Sequence, residues 1–98
     1  MNIKMLKIIG KRYKLVRDKK AENCGLCDCN KQIITLKGDM PATLELDTII
    51  HEIVHAIDYQ MDLKMSERQV HGVGAGLAAV MIDNAKFIDY LKTLTLGE

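Results

Sequence analysis

The sequence predicts an α+β fold in which a small three-stranded antiparallel sheet is followed by three helices. Segments rich in apolar and β-branched residues, separated by turn signals, occupy the first third of the chain. From Pro41 onward, apolar residues recur at the spacing of a helix instead. A run of strands followed by a run of helices is typical of α+β proteins. The length of 98 residues leaves room for one hydrophobic core, so we expect a single domain over residues 1–98.

Three strands are predicted in the N-terminal part of the chain, at residues 3–9, 13–17 and 32–36. The dipeptide Gly10-Lys11 between the first two is a turn signal, which favours a hairpin. Residues 18–30 are polar and contain the cysteines, and they are predicted to form a loop. Gly38-Asp39 ends the third strand.

The first helix is predicted to begin near Pro41, because proline suits the first turn of a helix. Its apolar residues form one stripe, and His51, His55 and Asp58 form another. The apolar stripe consists of Leu46, Ile50, Ile53, Val54, Ile57 and Met61. One face of this helix is therefore expected to pack in the core, and the other is available for chemistry.

The second helix is predicted to begin at Ser66, because Gln69 stands three residues later and completes a capping box. Gly74 and Ala78 share one side of this helix, where small residues would allow close approach to the first helix. Asp83-Asn84 indicates a break before a short terminal helix. The apolar residues of that last helix are Phe87, Ile88, Leu91 and Leu94.

The net charge of +1 hides an uneven distribution, because residues 1–20 hold eight Lys or Arg and one Asp. Such a basic patch could attract nucleic acid or an acidic partner. The twelve acidic residues in the remainder of the chain argue against a nucleic-acid partner. We therefore interpret the lysines as the solvent side of an edge ribbon, where they deter aggregation.

No apolar run approaches the roughly 18 residues that a membrane-spanning helix needs. Lysines recur through the N-terminus and interrupt any signal-peptide core. We expect a cytoplasmic protein without a membrane partner, located in the producing cell or in a host cell.

The segment His51-Glu52-Ile53-Val54-His55 matches the pattern H-E-x-x-H. Residues four apart on a helix lie one above the other, so the two imidazoles can converge on one cation. Glu52 lies about 100° around the helix from His51, where it can reach a metal-activated water without binding the metal. The pattern predicts a zinc site with Glu52 as the catalytic base.

A catalytic zinc site needs a third protein ligand and an open position for water. Glu67 is the first candidate, because it opens the second helix and a short connection folds that helix back. His71, one turn further along the same face, is the alternative. Asp58 is about 10 Å along the helix from His51, which favours a role in orienting an imidazole N–H.

Cys24, Cys27 and Cys29 leave two further possibilities open. A C-x-x-C pair could begin a zinc knuckle, although no second pair follows it. One of the three thiols could also be the third ligand of the histidine site. A disulfide framework is not expected in a cytoplasmic chain.

With these motifs in place, the chain resembles small gluzincin-like metallopeptidases. This group includes ImmA/IrrE-type proteins, compact SprT-like domains and short phage-encoded relatives. The resemblance covers residues 24–77 and rests on three segments. They are Cys-Asp-Cys-Asn-Lys-Gln-Ile-Ile-Thr-Leu before the motif helix, Leu-Asp-Thr-Ile-Ile-His-Glu-Ile-Val-His-Ala-Ile-Asp-Tyr within it, and Leu-Lys-Met-Ser-Glu-Arg-Gln-Val after it.

The resemblance implies a minimal zincin-like fold and zinc-dependent hydrolysis of peptide bonds in a protein substrate. It implies His51, His55 and Glu67 as the metal ligands and Glu52 as the general base. It also implies that the strand before the motif helix, residues 32–36 here, borders the cleft and pairs with extended peptide. Candidates for an additional electrophilic group are Tyr59 and Tyr13.

Two other functions are compatible with the same residues. A chain this small offers few walls for binding a substrate, so zinc could instead stabilise a phage-type binding or regulatory protein that acts on a host partner. Another zinc hydrolase, such as a deformylase, would use a cysteine as a ligand.

Overall fold

The computed structural model describes residues 3–95, within which four strands precede three helices. The strands are β1 (Met5–Ile8), β2 (Lys11–Asp18), β3 (Gly25–Asp28) and β4 (Ile33–Lys37). The helices are α1 (Ala42–Met61), α2 (Glu67–Asp83) and α3 (Ala85–Thr95). The predicted α+β class and the order of the three helices are therefore confirmed.

The prediction of a three-stranded antiparallel sheet was wrong, because the sheet has four strands and is mixed. The strand order is β1-β2-β4-β3, with β1–β2 and β3–β4 antiparallel and β2–β4 parallel. β3 lies in the stretch predicted as a loop, since Gly-Leu-Cys-Asp contains no β-branched residue and lies among polar residues. After β2, the chain crosses over and forms β3 at the opposite edge of the sheet. The β3–β4 hairpin then places β4 between β3 and β2, parallel to β2.

The boundaries of the helices agree with the predicted signals, with two differences. Pro41 is the N-cap of α1, so it stands just before the first turn and not within it. Met61 ends α1 but is 58% exposed, so the apolar stripe stops one turn earlier than predicted. The capping box of α2 is confirmed, because the Ser66 side chain accepts from the Gln69 N–H and the Gln69 side chain accepts from the Ser66 N–H.

α1 lies between the sheet and α2 and contributes to two apolar clusters. Alternate residues of β2 and β4 point toward α1, as expected for strands with one buried face. The cluster between the sheet and α1 contains Ile8, Tyr13, Leu15, Ile34, Leu36 and Ala56. The cluster between α1 and α2 contains Ile50, Val54, Val70 and Ala78. Because two faces of α1 are packed in this way, only its remaining face is open to solvent.

Polar contacts also fix α1 against the sheet. Arg17 at the end of β2 forms a two-pronged contact with Glu45 on α1, with Nε–Oε1 and Nη2–Oε2 distances of 3.4 and 3.2 Å. At the other end of α1, Gln60 donates to the carbonyl of Ile8 and to the hydroxyl of Tyr13. The helix is thereby held at both ends.

Five of the eight basic N-terminal residues lie on β1 and β2, of which β1 is an edge strand and β2 is paired on both sides. Lys7 on β1 fits the interpretation that lysines protect an edge from pairing with other molecules, whereas the basic residues of β2 lie on an inner strand. None of the helices within residues 3–95 is long and apolar enough to cross a membrane.

Candidate metal centre

His51 and His55 stand one turn apart on the open face of α1. Their ring centroids are 4.8 Å apart, in an edge-to-face arrangement. Their side chains are 23% and 29% exposed, so the rings are held by packing but remain reachable from solvent. The two imidazoles can therefore bind one ion from the solvent side.

Glu67, the first residue of α2, completes a group of three possible ligands. Its Oε1 lies 3.3 Å from Nε2 of His51 and 3.3 Å from Nε2 of His55. Two ligand atoms at about 2.1 Å from one tetrahedral zinc ion are about 3.4 Å apart, so both distances suit a shared ion. One ligand atom from each of the three residues lies within 4.8 Å of the others. The donor set of two imidazoles and one carboxylate can hold a metal ion.

The position of Glu67 depends on a close contact between α1 and α2. Gly74 lies two turns after Glu67 on the same side of α2, and its Cα faces the backbone of His51. A Cβ at Gly74 would lie 3.2 Å from the Cα of His51, which is tighter than nine in ten natural contacts of a Cβ atom. The absence of a side chain at Gly74 therefore allows α2 to approach the backbone of α1 at His51.

The connection between the helices has a fixed conformation as well. Asp62 ends α1 in the left-handed region, with φ 51°, and Lys64 follows with φ 58°. The carboxylate of Asp58 accepts a hydrogen bond from the backbone N–H of Met65 at 3.0 Å. Asp58 therefore orients the turn that leads to Glu67, and its expected role in orienting an imidazole N–H stays a prediction.

Glu52 lies beneath the ligand group and is 5% exposed. Burial raises the pKa of its carboxyl group, the negative charge of Glu67 acts in the same direction, and His51 opposes them. A carboxylate with a raised pKa accepts a proton more readily near neutral pH. The environment of Glu52 therefore suits a general base.

The strand β3 covers Glu52, and Gly25 makes this possible. A Cβ at Gly25 would lie 2.5 Å from Cγ2 of Thr48 and 2.8 Å from Oε2 of Glu52, so a larger residue cannot be accommodated without movement. Gly25 was not identified from the sequence, although an isolated glycine within a strand is a known sign of close backbone approach. The close approach can be inferred from this glycine only when the segment is recognised as a strand.

The ligand group and Glu52 line one open cleft of about 480 Å³. Its other lining residues are Gly25, Leu26, Cys27, Cys29, Asp58 and Tyr59. The strand that borders this cleft is β3, so the assignment of residues 32–36 to that role was wrong. Residues 33–36 belong to β4, which is paired with β2 on one side and with β3 on the other and has no free edge.

The remaining candidates lie outside the ligand group. The ring centroid of His71 is 6.1 Å from that of His51, and His71 is not among the three grouped ligands. Within residues 3–95, no cysteine belongs to a group of three or more possible metal ligands. Tyr13 is 1% exposed in the core, whereas Tyr59 lines the cleft and donates to Oδ1 of Asn30 at 2.6 Å. Only Tyr59 of the two tyrosines is thus close to the site.

Comparison with known proteins adds no further assignment. No protein-family model, curated protein or solved structure matches this chain.

Proposed function

We propose that this protein is a zinc-dependent metallopeptidase with a minimal zincin-like fold. His51, His55 and Glu67 would hold Zn²⁺, and Glu52 would be the general base. The observation that carries the proposal is the position of Glu67 Oε1, which lies 3.3 Å from Nε2 of both histidines beside the buried Glu52. Two imidazoles and one carboxylate are a ligand set that suits zinc and leaves one position open.

Each protein group has a defined part in the proposed hydrolysis. Zinc, when bound, lowers the pKa of a water molecule toward about 7 and polarises a carbonyl group. Glu52 takes a proton from the water that attacks the carbonyl carbon of the peptide bond. It then gives that proton to the leaving nitrogen as the C–N bond breaks. The raised pKa of Glu52 supports both transfers, because the group must accept and release a proton near neutral pH.

The edge of β3 offers a place for the substrate chain. β3 pairs with β4 on one side only, so the backbone groups of its other side can pair with an extended peptide. Leu26 is 60% exposed on this strand and lines the cleft, where it can contact a substrate side chain. This arrangement favours an unstructured or extended segment of a protein as the substrate.

The ligand set can be tested by elemental analysis of purified wild-type, Glu67→Ala and His71→Ala proteins after zinc is supplied. We expect about one zinc ion per chain in wild type and His71→Ala, and a large loss in Glu67→Ala. Retention of zinc in Glu67→Ala with loss in His71→Ala would transfer the third-ligand role to His71. A wild-type protein that takes up no zinc would remove the basis of the proposal.

A zinc-stabilised binding protein is the second candidate, favoured by half-exposed apolar residues that recur at helical spacing on α2 and, separately, on α3. These residues are Val73, Leu77 and Val80 on α2 and Phe87, Tyr90 and Leu94 on α3. Apolar surface of this kind is found at sites that bind other proteins. In that case zinc would raise the unfolding temperature, a partner would be retained equally by wild type and Glu52→Gln, and no cleavage would occur.

A further inference from the structure

Two of the three cysteines face each other on the wall of the cleft. The Sγ atoms of Cys27 and Cys29 are 3.4 Å apart, and both residues are partly buried. Cys24 is exposed and lines a separate depression on the other side of Gly25. We propose that Cys27 and Cys29 form a reversible oxidation site, in which a hydroperoxide converts the two thiols into an intrachain disulfide.

The structure selects a different pair from the one that the sequence spacing suggests. Cys24 and Cys27 have the C-x-x-C spacing of many redox-active pairs. However, β3 begins at Gly25, and Cys24 just before it still accepts a hydrogen bond from the Lys37 N–H, so the chain from Cys24 to Cys27 is extended and spans about 10 Å. Two cysteines whose Cα atoms are more than about 7 Å apart cannot be bridged without backbone movement. Residues three apart on a strand also point to opposite faces, whereas those two apart share a face.

The Cys27–Cys29 pair needs only a small local contraction. Even a fully extended chain would separate the two Cα atoms by only about 6.7 Å, which is at the upper end of the Cα separations seen in disulfides. The sulfurs must approach from 3.4 Å to about 2.05 Å. β3 ends at Asp28, so Cys29 already lies outside the ladder and can move without breaking a strand pair. The turn after β3 can therefore absorb the contraction.

The chemistry balances with one hydroperoxide for each pair of thiols. Burial, together with the neighbouring Cys29 and the charges of Glu52 and Asp28, raises the pKa of Cys27 to about 12. Cys27 therefore keeps its proton at neutral pH, and the first attack is assigned to Cys29. The Cys29 sulfur attacks one peroxide oxygen, the O–O bond breaks, and an alcohol or water leaves while a sulfenic acid forms. The Cys27 sulfur then attacks the Cys29 sulfur, the S–O bond breaks, and the hydroxyl group leaves as water with the thiol proton.

Oxidation would change the shape of the cleft beside the metal ligands. Cys27 and Cys29 both line the cleft, and the next residue, Asn30, accepts the hydrogen bond from Tyr59 on α1. A contraction at residues 27–29 pulls directly on this link. The proposed disulfide itself does not depend on peptidase activity, so its test needs no substrate.

The test uses the full chain supplied with zinc, as wild type and as the Cys24→Ser and Cys29→Ser variants. Each protein is treated with hydrogen peroxide, its free thiols are counted, and its intact mass is measured with and without dithiothreitol. We expect wild type and Cys24→Ser to lose two thiols and about 2 Da per chain, reversibly. Cys29→Ser, which keeps the C-x-x-C spacing, should form no intrachain disulfide under the same conditions.

Peptide mapping of the wild-type protein decides the pairing even if a variant does not fold. Cleavage after Lys20 and Lys31 places all three cysteines in one fragment, and fragmentation sequencing after alkylation identifies the thiol that stayed free. We expect that thiol to be Cys24. A Cys24–Cys27 bridge, a disulfide between two chains, or over-oxidation without any bridge would each overturn the proposal.

Discussion

The Glu52→Gln substitution should lower the rate of catalysis but raise the stability of the fold, so the two roles of Glu52 can be measured separately. The carboxyl group is 5% exposed and has a pKa raised chiefly by burial. The folded protein therefore binds this proton more tightly than the unfolded chain. The stabilising effect of the protonated group is complete below the unfolded pKa of about 4.5, and it is lost as the pH rises through the folded pKa.

Above the unfolded pKa, the raised pKa of Glu52 makes folding of wild type less favourable, whereas the amide side chain in the Glu52→Gln variant is neutral at every pH. We expect the metal-free variant to be more stable than metal-free wild type at pH 7, by about 1 kcal/mol. For a chain of this size, such a gain raises the unfolding temperature by roughly 4–8 °C. The difference should shrink as the pH falls toward 4.5, because the wild-type carboxyl group then becomes neutral.

The measurements are thermal unfolding of both metal-free proteins between about pH 4.5 and 8, and cleavage of quenched fluorescent casein by the zinc-loaded proteins. Cleavage should fall by about 10²–10⁴-fold in the variant, with the zinc content unchanged. Glu45→Gln is the control on the same helix, because Glu45 is paired with Arg17 and its neutralisation should not stabilise the protein. A stability difference that is independent of pH would refute the burial argument. Cleavage at the wild-type rate would refute the assignment of Glu52 as the base.

Three further changes test the contacts that position the site. Gly25→Ala should lower the free energy of unfolding in urea by about 1–3 kcal/mol, because the new Cβ would lie 2.5 Å from a side-chain carbon on α1. Gly74→Ala should destabilise the protein and weaken zinc binding, since its Cβ would push α2 away from α1. Gly72→Ala, whose Cβ meets nothing within 4 Å, should stabilise it by about 0.5–1 kcal/mol; equal effects of the two alanines in urea melts would contradict the packing argument. Asp58→Ala should weaken zinc affinity about tenfold in competition with a chelator, because the Met65 N–H loses its acceptor, and unchanged affinity would show that the turn is held otherwise.

The parts of the fold that could be predicted are those encoded by local signals. The capping box at Ser66 and the apolar periodicity of α1 each depend on residues within a few positions of one another. β3 could not be predicted, because its four residues become a strand only through pairing with β4. The parallel pairing of β2 with β4 was missed for the same reason, since it follows from where β3 lies.

The candidate site shows the same limit. The closeness of the His51 and His55 side chains follows from helix geometry alone, so the four-residue spacing in the sequence predicts it. The distance of Glu67 from these residues depends on the turn after α1 and on the approach allowed by Gly74, which involve contacts between two helices. For this reason the sequence left both Glu67 and His71 open as the third ligand, whereas among the described residues 3–95 the three-dimensional contacts group Glu67, and not His71, with His51 and His55.

The two glutamates at the centre have the same chemistry but contrasting surroundings, and this contrast favours their proposed roles. The side chain of Glu67 is 74% exposed, so water solvates its charge and the carboxylate is available to a cation. Glu52 is covered by β3, which disfavours its charged form and raises its pKa. Pairs of acidic groups whose environments differ in this way are a common basis for dividing roles in an active site. Because the cover over Glu52 depends on the close approach of β3 at Gly25, the strand expected to hold the substrate also adjusts the basicity of the residue expected to act on it.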